Sequence, residues 1–165
     1  MRNIYCLLII LLILLATSCA ENGRNVQELL LSSENVLGYI EQQKKILDSD
    51  QENALAHYNL ARSLYFLEEF EKAELHARKA TRYDPLNAGY YELLGSLAFA
   101  LDRYGDAITE LATSVRIAPE RVSAYLKLAG TYEKIDDDAR AISSLLQALQ
   151  IDRYYVEAHY HLARI

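Results

Sequence analysis

The sequence predicts an all-α chain, an α-α superhelix (solenoid) of stacked helical hairpins. Three observations carry this. The two prolines of the chain, Pro85 and Pro119, lie 34 residues apart. Leu60, Leu94, Leu128 and Leu162 keep the same interval, and each is followed by a small residue, Ala61, Gly95, Ala129 or Ala163. Ala73, Ala107 and Ala141 form a third set in that register. A 34-residue helical period marks an array in which each hairpin buries its apolar faces only against its neighbours. Such arrays present surfaces rather than run reactions.

Residues 1–18 read as a signal peptide. Met1–Ala20 carries one charge, Arg2, and Ile4–Ala16 is an unbroken apolar run of thirteen residues. That is too short for an ordinary spanning helix and suits a signal-peptide core. The segment Leu15-Ala16-Thr17-Ser18-Cys19 resembles a bacterial lipobox, in which a small residue precedes a cysteine that becomes lipidated. The usual leucine three positions before the cysteine is Ala16 here, with Leu15 one further out. Cys6 lies within the leader, so Cys19 would be the single thiol of the mature chain and has no internal disulfide partner. Acylation accounts for such a thiol in an oxidising compartment. Simple secretion with cleavage after Ala20, or an uncleaved anchor, are the alternatives. By resemblance to the bacterial sorting rule, Ala20 after the cysteine implies the outer membrane, facing the periplasm.

Residues 19–53 are expected to hold the lipidated N-terminus and a divergent helical hairpin, either a cap or a repeat in phase with the others. Val26–Leu31 and Val36–Leu47 have helical patterning, and Ser32-Ser33-Glu34-Asn35 between them reads as a turn.

Residues 54–87, 88–121 and 122–155 are three complete units. With Ala54, Ala88 and Val122 as position 1, the columns align without gaps. Position 4 reads His57, Tyr91, Tyr125, and position 11 reads Leu64, Ala98, Tyr132. Position 24 reads Ala77, Leu111, Leu145, and position 27 reads Ala80, Ser114, Ala148. At about 100° per residue, positions 4, 7, 8 and 11 fall on one stripe of a first helix. Small residues at positions 8 and 20 allow close approach of a second helix. Asn53 and Asn87 stand where an N-cap is needed. Pro85 and Pro119 close the second helices, which proline cannot continue.

These columns resemble the tetratricopeptide repeat, whose pattern is a large residue, Leu-small, Tyr, Ala, an aromatic, Ala and Pro. The resemblance covers residues 54–165 and implies a non-enzymatic scaffold for protein binding. Position 15, usually Gly in the family, is Glu68, Asp102 and Asp136. Asp tolerates a left-handed backbone moderately and Glu poorly, which puts the turn of the first unit in question.

Residues 156–165 begin a fourth unit, with His159 at position 4. Its apolar side is expected to lack the helix that would cover it. A truncated array, or one completed by a partner or another copy through this end, is the expectation.

Residues 19–165 carry 16 basic and 23 acidic residues, a net charge of −7. An acidic chain without a basic stripe argues against nucleic acid and against a polybasic membrane surface. The four histidines lack zinc-type spacing: His57 and His159 share a packing column, His159 and His161 point to different sides of a helix, and His76 stands alone. Asp136-Asp137-Asp138 lacks the alternation and glycine of a calcium loop and reads as a solvated turn. No nucleophile motif, phosphate loop or dinucleotide fingerprint occurs, so no enzyme activity, metal or cofactor is expected.

Function then falls to a surface. Opposite the packing stripe, the first helices offer Tyr58, Asn59, Arg62, Tyr65 and Phe66, then Leu93, Ser96 and Phe99, then Leu126, Lys127 and Lys134. In the family, this face lines a concave groove that takes peptides or helices. Aromatics beside Arg and Lys suit a protein interface. A clamp for C-terminal carboxylates, known in chaperone-binding relatives, needs Lys and Asn at positions 5 and 9. Tyr58 and Arg62 stand there, which speaks against it. The expected role is an adaptor of the bacterial cell envelope, with the recognition segment of a longer, enzymatic protein as the alternative.

Overall fold

The computed structural model describes the backbone of residues 26–165 and the side chains of residues 35–165. The signal-peptide reading and Cys19 lie outside these residues. The described residues form eight helices: α1 Val26–Ser49, α2 Ala54–Phe66, α3 Phe70–Tyr83, α4 Ala88–Ala100, α5 Tyr104–Ile117, α6 Val122–Lys134, α7 Asp138–Ile151 and α8 Val156–Arg164. The chain divides into two parts, Met1–Tyr39 and Ile40–Ile165. The described portion of the first is helical throughout. The second holds the end of α1 and seven further helices.

The predicted hairpin in residues 19–53 is not formed, because α1 runs unbroken through Ser32–Asn35. The four residues contain neither glycine nor proline. Serine, asparagine and glutamate in a helix interior cost about 0.7 kcal/mol or less each relative to alanine. Without a residue that forbids the helix, the capping tendency of Ser and Asn does not stop it.

From Ala54 onward the predicted phase holds. α2, α4, α6 and α8 all begin at position 1 of their units. Each first helix pairs with the second helix of its own unit, and each second helix packs against the next first helix. Positions 20, 24 and 27 of the second helices are fully buried in all three units: Ala73, Ala77, Ala80; Ala107, Leu111, Ser114; Ala141, Leu145, Ala148. Leu97, Leu111 and Leu145 have no exposed surface, and burying each contributes about 1.5–3 kcal/mol.

Two columns absent from the predicted stripe are also buried. Position 3 is Ala56, Tyr90, Ala124 and Ala158, and position 10 is Ser63, Leu97 and Thr131. Positions 3, 7 and 10 are spaced as neighbours on one helical face. That spacing, with alanine in three of four units at position 3, was the signal for them.

The turn between helices is the same in every unit. Glu68, Asp102 and Asp136 adopt φ of 60°, 57° and 57°. In the first turn the Glu68 amide donates to Tyr65 O and the Glu69 amide to Leu64 O, at 3.0 and 2.9 Å. The same pair recurs as Asp102 to Phe99 with Arg103 to Ala98, and as Asp136 to Glu133 with Asp137 to Tyr132. This is the Schellman arrangement, which satisfies carbonyls left over at the helix end. It offsets the roughly 1–2 kcal/mol left-handed cost, so Glu68 takes the same turn as the aspartates.

Asn53 and Asn87 cap α2 and α4 as predicted, accepting from the amides of Ala56 and Gly89 at 2.9 and 3.0 Å. Asp137 caps α7 by accepting from the Arg140 amide at 3.0 Å. The aspartate run therefore builds a left-handed turn, a cap and a first helical residue. α3, α5 and α7 end at Tyr83, Ile117 and Ile151, the same column each time. Arg153 occupies the proline position of the third unit without lengthening α7, so helix length here is set by packing.

Candidate functional site

Three first helices, α2, α4 and α6, converge on one cavity of about 130 Å³. It is lined by Tyr65 from α2, Gly95, Ser96 and Phe99 from α4, and Lys127, Gly130 and Thr131 from α6, with Leu111 of α5 beneath. Of the predicted groove residues, Tyr65, Ser96, Phe99 and Lys127 are brought together here. Tyr65 is braced by Phe70, with ring centroids 5.5 Å apart, and Phe99 by Tyr104 at 5.6 Å.

The other predicted residues lie elsewhere. Tyr58 packs on the buried Tyr90 ring at 4.8 Å, and the Arg62 guanidinium lies 5.6 Å over the Tyr58 ring. Asn59 donates to Gln43 of α1 at 3.4 Å. Phe66 and Lys134 are exposed at helix ends, away from the cavity lining. Leu93 is buried in the core, because α4 is covered on more sides than one stripe allows for. Leu126 packs against the cluster of Ala129, Leu145, Ala148 and Ala158, so it joins the contact with α8 instead of the cavity.

Glu92, at position 5 of the second unit, is buried and ties α4 to α6. Arg121 Nε donates to Glu92 Oε2, as does Ser123 Oγ at 3.0 Å, and Lys127 Nζ lies 3.1 Å from Oε1. Lys127 Nζ also donates to Ser96 Oγ at 2.9 Å. Burial pushes the Glu92 carboxyl up, but the Arg121 and Lys127 contacts outweigh it and hold it below the usual carboxylate range. Glu133 repeats the device toward α8, meeting His161 Nδ1 at 2.8 Å and the Arg164 guanidinium. Burial raises its carboxyl and these two partners lower it further. On the second helices, Arg103 of the α4–α5 turn donates to Glu74 of α3 at 2.5 Å.

These struts were missed in the sequence, although their spacing gives them away. Glu92–Arg121 and Glu74–Arg103 are 29 residues apart, and Glu92–Ser123, Ser96–Lys127 and Glu133–Arg164 are 31 apart. One repeat less a turn of helix brings side chains of adjacent units within reach.

His76 does not stand alone. Its Nδ1 lies 2.9 Å from Nδ1 of His57, whose Nε2 is 3.0 Å from the Gln51 carbonyl oxygen. A neutral His57 must donate from Nε2 to that carbonyl, so its Nδ1 accepts the Nδ1 proton of His76. The Tyr83 ring stacks on His57 at 5.7 Å. Burial pushes both imidazoles down, His76 to about 4 with help from the charges of His57 and Lys79. His57 is thus the packing residue its column implies. His159, in the same column, is exposed, yet its Nε2 keeps a 2.9 Å contact with the Arg153 carbonyl. Among the described residues no three His, Cys, Asp or Glu side chains converge as a metal site. Among them, too, no helix is long and apolar enough to cross a membrane.

Comparison with known proteins agrees with this geometry. Models of the tetratricopeptide repeat match residues 58–121 and 122–155. A probable UDP-N-acetylglucosamine–peptide N-acetylglucosaminyltransferase SEC of Arabidopsis thaliana is 27% identical over 122 residues, 74% of this chain. The chain spans 14% and 12% of the lengths of the curated relatives it matches. Among solved structures, MamA superposes with a TM-score of 0.75 at 21% identity, covering 86% of this chain and 82% of that one. The first repeat domain of Spaghetti (RPAP3), solved with an HSP90 peptide, gives 0.66 at 17%, covering 70% and 91%. At these identities the structural likeness is one of fold. With more than half its length matched by the repeat models, the chain belongs to the tetratricopeptide repeat family, a family of protein-binding scaffolds.

Proposed function

We propose that this chain is a non-enzymatic adaptor that holds a partner protein against the concave face of α2, α4 and α6. The carrying observation is the cavity where the three helices meet, with Tyr65, Ser96, Phe99 and Lys127 on one surface. An aromatic-walled depression beside exposed cations is the composition of an interface core and its rim. The peptide in the Spaghetti structure supports peptide capture as a use of this fold. A photo-crosslinking aromatic residue at position 99 should trap a partner in the native host, and one at the exposed outer Leu75 should not. No adduct from position 99 overturns the reading. Replacing Arg62 and Tyr65 together should weaken the adduct and leave helicity intact.

We further propose that Cys19 is lipidated and holds the adaptor at the bacterial cell envelope, on the outer membrane facing the periplasm. The apolar run Ile4–Ala16 and the single mature thiol support this. A fatty-acid analogue should label the chain, and Cys19→Ser should block both labelling and processing. An unlabelled wild type sinks the anchor.

A second reading, the recognition segment of a longer enzyme, draws support from the peptide glycosyltransferase relative, which exceeds the matched segment by far. The reading frame downstream of Ile165 separates the two.

A further inference from the structure

The first hairpin holds two imidazoles where the second and third hold none. His57 and His76 stand at positions 4 and 23 of their unit. The same positions are Tyr91 and Glu110 in the second unit and Tyr125 and Ser144 in the third. His57 is buried and joins three segments of the chain. On α2 itself, its Nδ1 meets His76 Nδ1 of α3 at 2.9 Å, and its Nε2 reaches back to the Gln51 carbonyl oxygen at 3.0 Å. Gln51 lies in the connection between α1 and α2, which also supplies the Asn53 cap. Just before it, the end of α1 is tied to α2 by the buried Gln43, which accepts from Asn59.

Two hydrogen bonds fix the protons of the neutral pair. His57 donates from Nε2 to Gln51, so its Nδ1 accepts from His76 Nδ1 and leaves His76 Nε2 bare. One added proton can settle on that Nε2 without disturbing either bond. A second has only His57 Nδ1 left, where it would face the His76 Nδ1 proton across 2.9 Å. Two donors cannot hold that distance, so the rings must part. The surrounding charge acts in the same direction. Lys79 of α3 and Lys44 of α1 face the histidines, and Lys44 is itself paired with Glu41 at 2.9 Å. The Tyr83 ring covers His57 from α3. An opened hairpin returns both imidazoles to water, where each takes a proton at about pH 6.5. Opening therefore binds protons, and acid favours it.

The other two hairpins lack this response. In the second, burial raises the Glu110 carboxyl above its ordinary value, so acid favours that hairpin closed. In the third, Ser144 does not titrate.

We propose that His57 and His76 form an acid-sensitive latch: the uptake of two protons parts α2 from α3 and frees residues 50–53, while the second and third hairpins stay closed. The latch belongs to the first hairpin and needs no occupant in the cavity.

Native-state hydrogen exchange of the full chain at pH 6 and pH 5, with each amide corrected for its intrinsic rate, tests this. Glu92 and Glu133, held below the usual carboxylate range, stay ionised at both values, so the struts between units remain. Opening of α2 and α3 should rise by more than about tenfold over that step. Uptake of one proton gives at most about tenfold per pH unit, and two give up to about a hundredfold. Protection in α6 and α7 should stay near its pH 6 value. The double substitution His57→Tyr with His76→Ser gives the first hairpin the pair that the third already has. It should keep wild-type helicity at pH 6 and lose the acid-driven opening. A rise in α2 and α3 of one proton or less, an equal rise in α6 and α7, or undiminished opening in the double variant overturns the latch. If the double variant does not fold, the wild-type contrast between the two ends of the array decides alone.

Discussion

Gly95 and Gly130 line the same cavity from neighbouring helices, one position apart in the repeat, and they are constrained in opposite ways. A Cβ on Gly95 would stand 2.5 Å from Leu111 Cγ and 3.2 Å from the Ala107 carbonyl oxygen. A Cβ on Gly130 would meet nothing. Position 8 faces the interior of the hairpin, where α4 and α5 press together and only a hydrogen fits. Position 9 faces the concave side, where no neighbouring atom sets a limit. The hairpin interior is therefore held to closely fitted residues in every unit, and the face at position 9 is free to differ. Column 8 reads Ala, Gly, Ala, whereas column 9 reads Arg62, Ser96, Gly130. Stability resides in the first surface, and the proposed recognition in the second.

The largest effect should come from the one residue that serves both. Leu111 is fully buried and floors the cavity, so Leu111→Ala should cost about 2–5 kcal/mol. Thermal or urea unfolding reads this, and a loss below 1 kcal/mol would mean the seam is loosely packed. Ala107→Leu should cost about 1–3 kcal/mol by overpacking, since Ala107 is fully buried. A melting temperature equal to wild type would break the assigned repeat phase.

Acid should act next, and first on the buried histidine pair. The His76 pKa falls from 6.5 to about 4 on folding, with His57, Lys79 and Lys44 around it. A depressed histidine pKa means the folded state resists protonation. The associated stability is full above pH 6.5 and is lost as pH falls toward 4. Discounted for partial solvent screening, the loss is on the order of 1–2 kcal/mol. His76→Gln should flatten the stability curve between pH 6.5 and 4. A variant that still loses stability across that window assigns the effect elsewhere.

The smallest effect sharpens the comparison most directly. Gly130→Ala should stabilise by about 0.5–1 kcal/mol, the ordinary gain of alanine over glycine inside a helix. Gly95→Ala should destabilise in spite of that gain. Equal shifts of the same sign would erase the distinction between the two faces.

Much of the array was legible in the sequence because its interior obeys one local rule repeated. Ala73, Ala107 and Ala141 must be small wherever two helices touch, so the period survives in the letters. The same rule places Asn53, Asn87 and the ends of α3 and α5. The unbroken helix α1 was not legible, since Ser32–Asn35 tolerates helix and cap nearly equally and context decides. Glu92 had a surface letter at an outward position, yet Arg121 at the end of its own unit and Ser123 and Lys127 of the next unit enclose it. His76 gave no sign of His57, because their contact joins two helices at a spacing of 19 residues.

By itself the sequence determined the all-α class, the repeat period with its small-residue columns, and the family. Each follows from spacing along one helix or from the fixed 34-residue period. Only the tertiary structure decided which outward residues form one surface. It drew Tyr65, Ser96, Phe99 and Lys127 around a cavity, sent Leu93 into the core and Leu126 against the contact with α8, and paired Glu92 and Glu133 with basic side chains. Those outcomes depend on how far apart successive first helices stand, a distance set by side-chain volume between units and carried by no single residue.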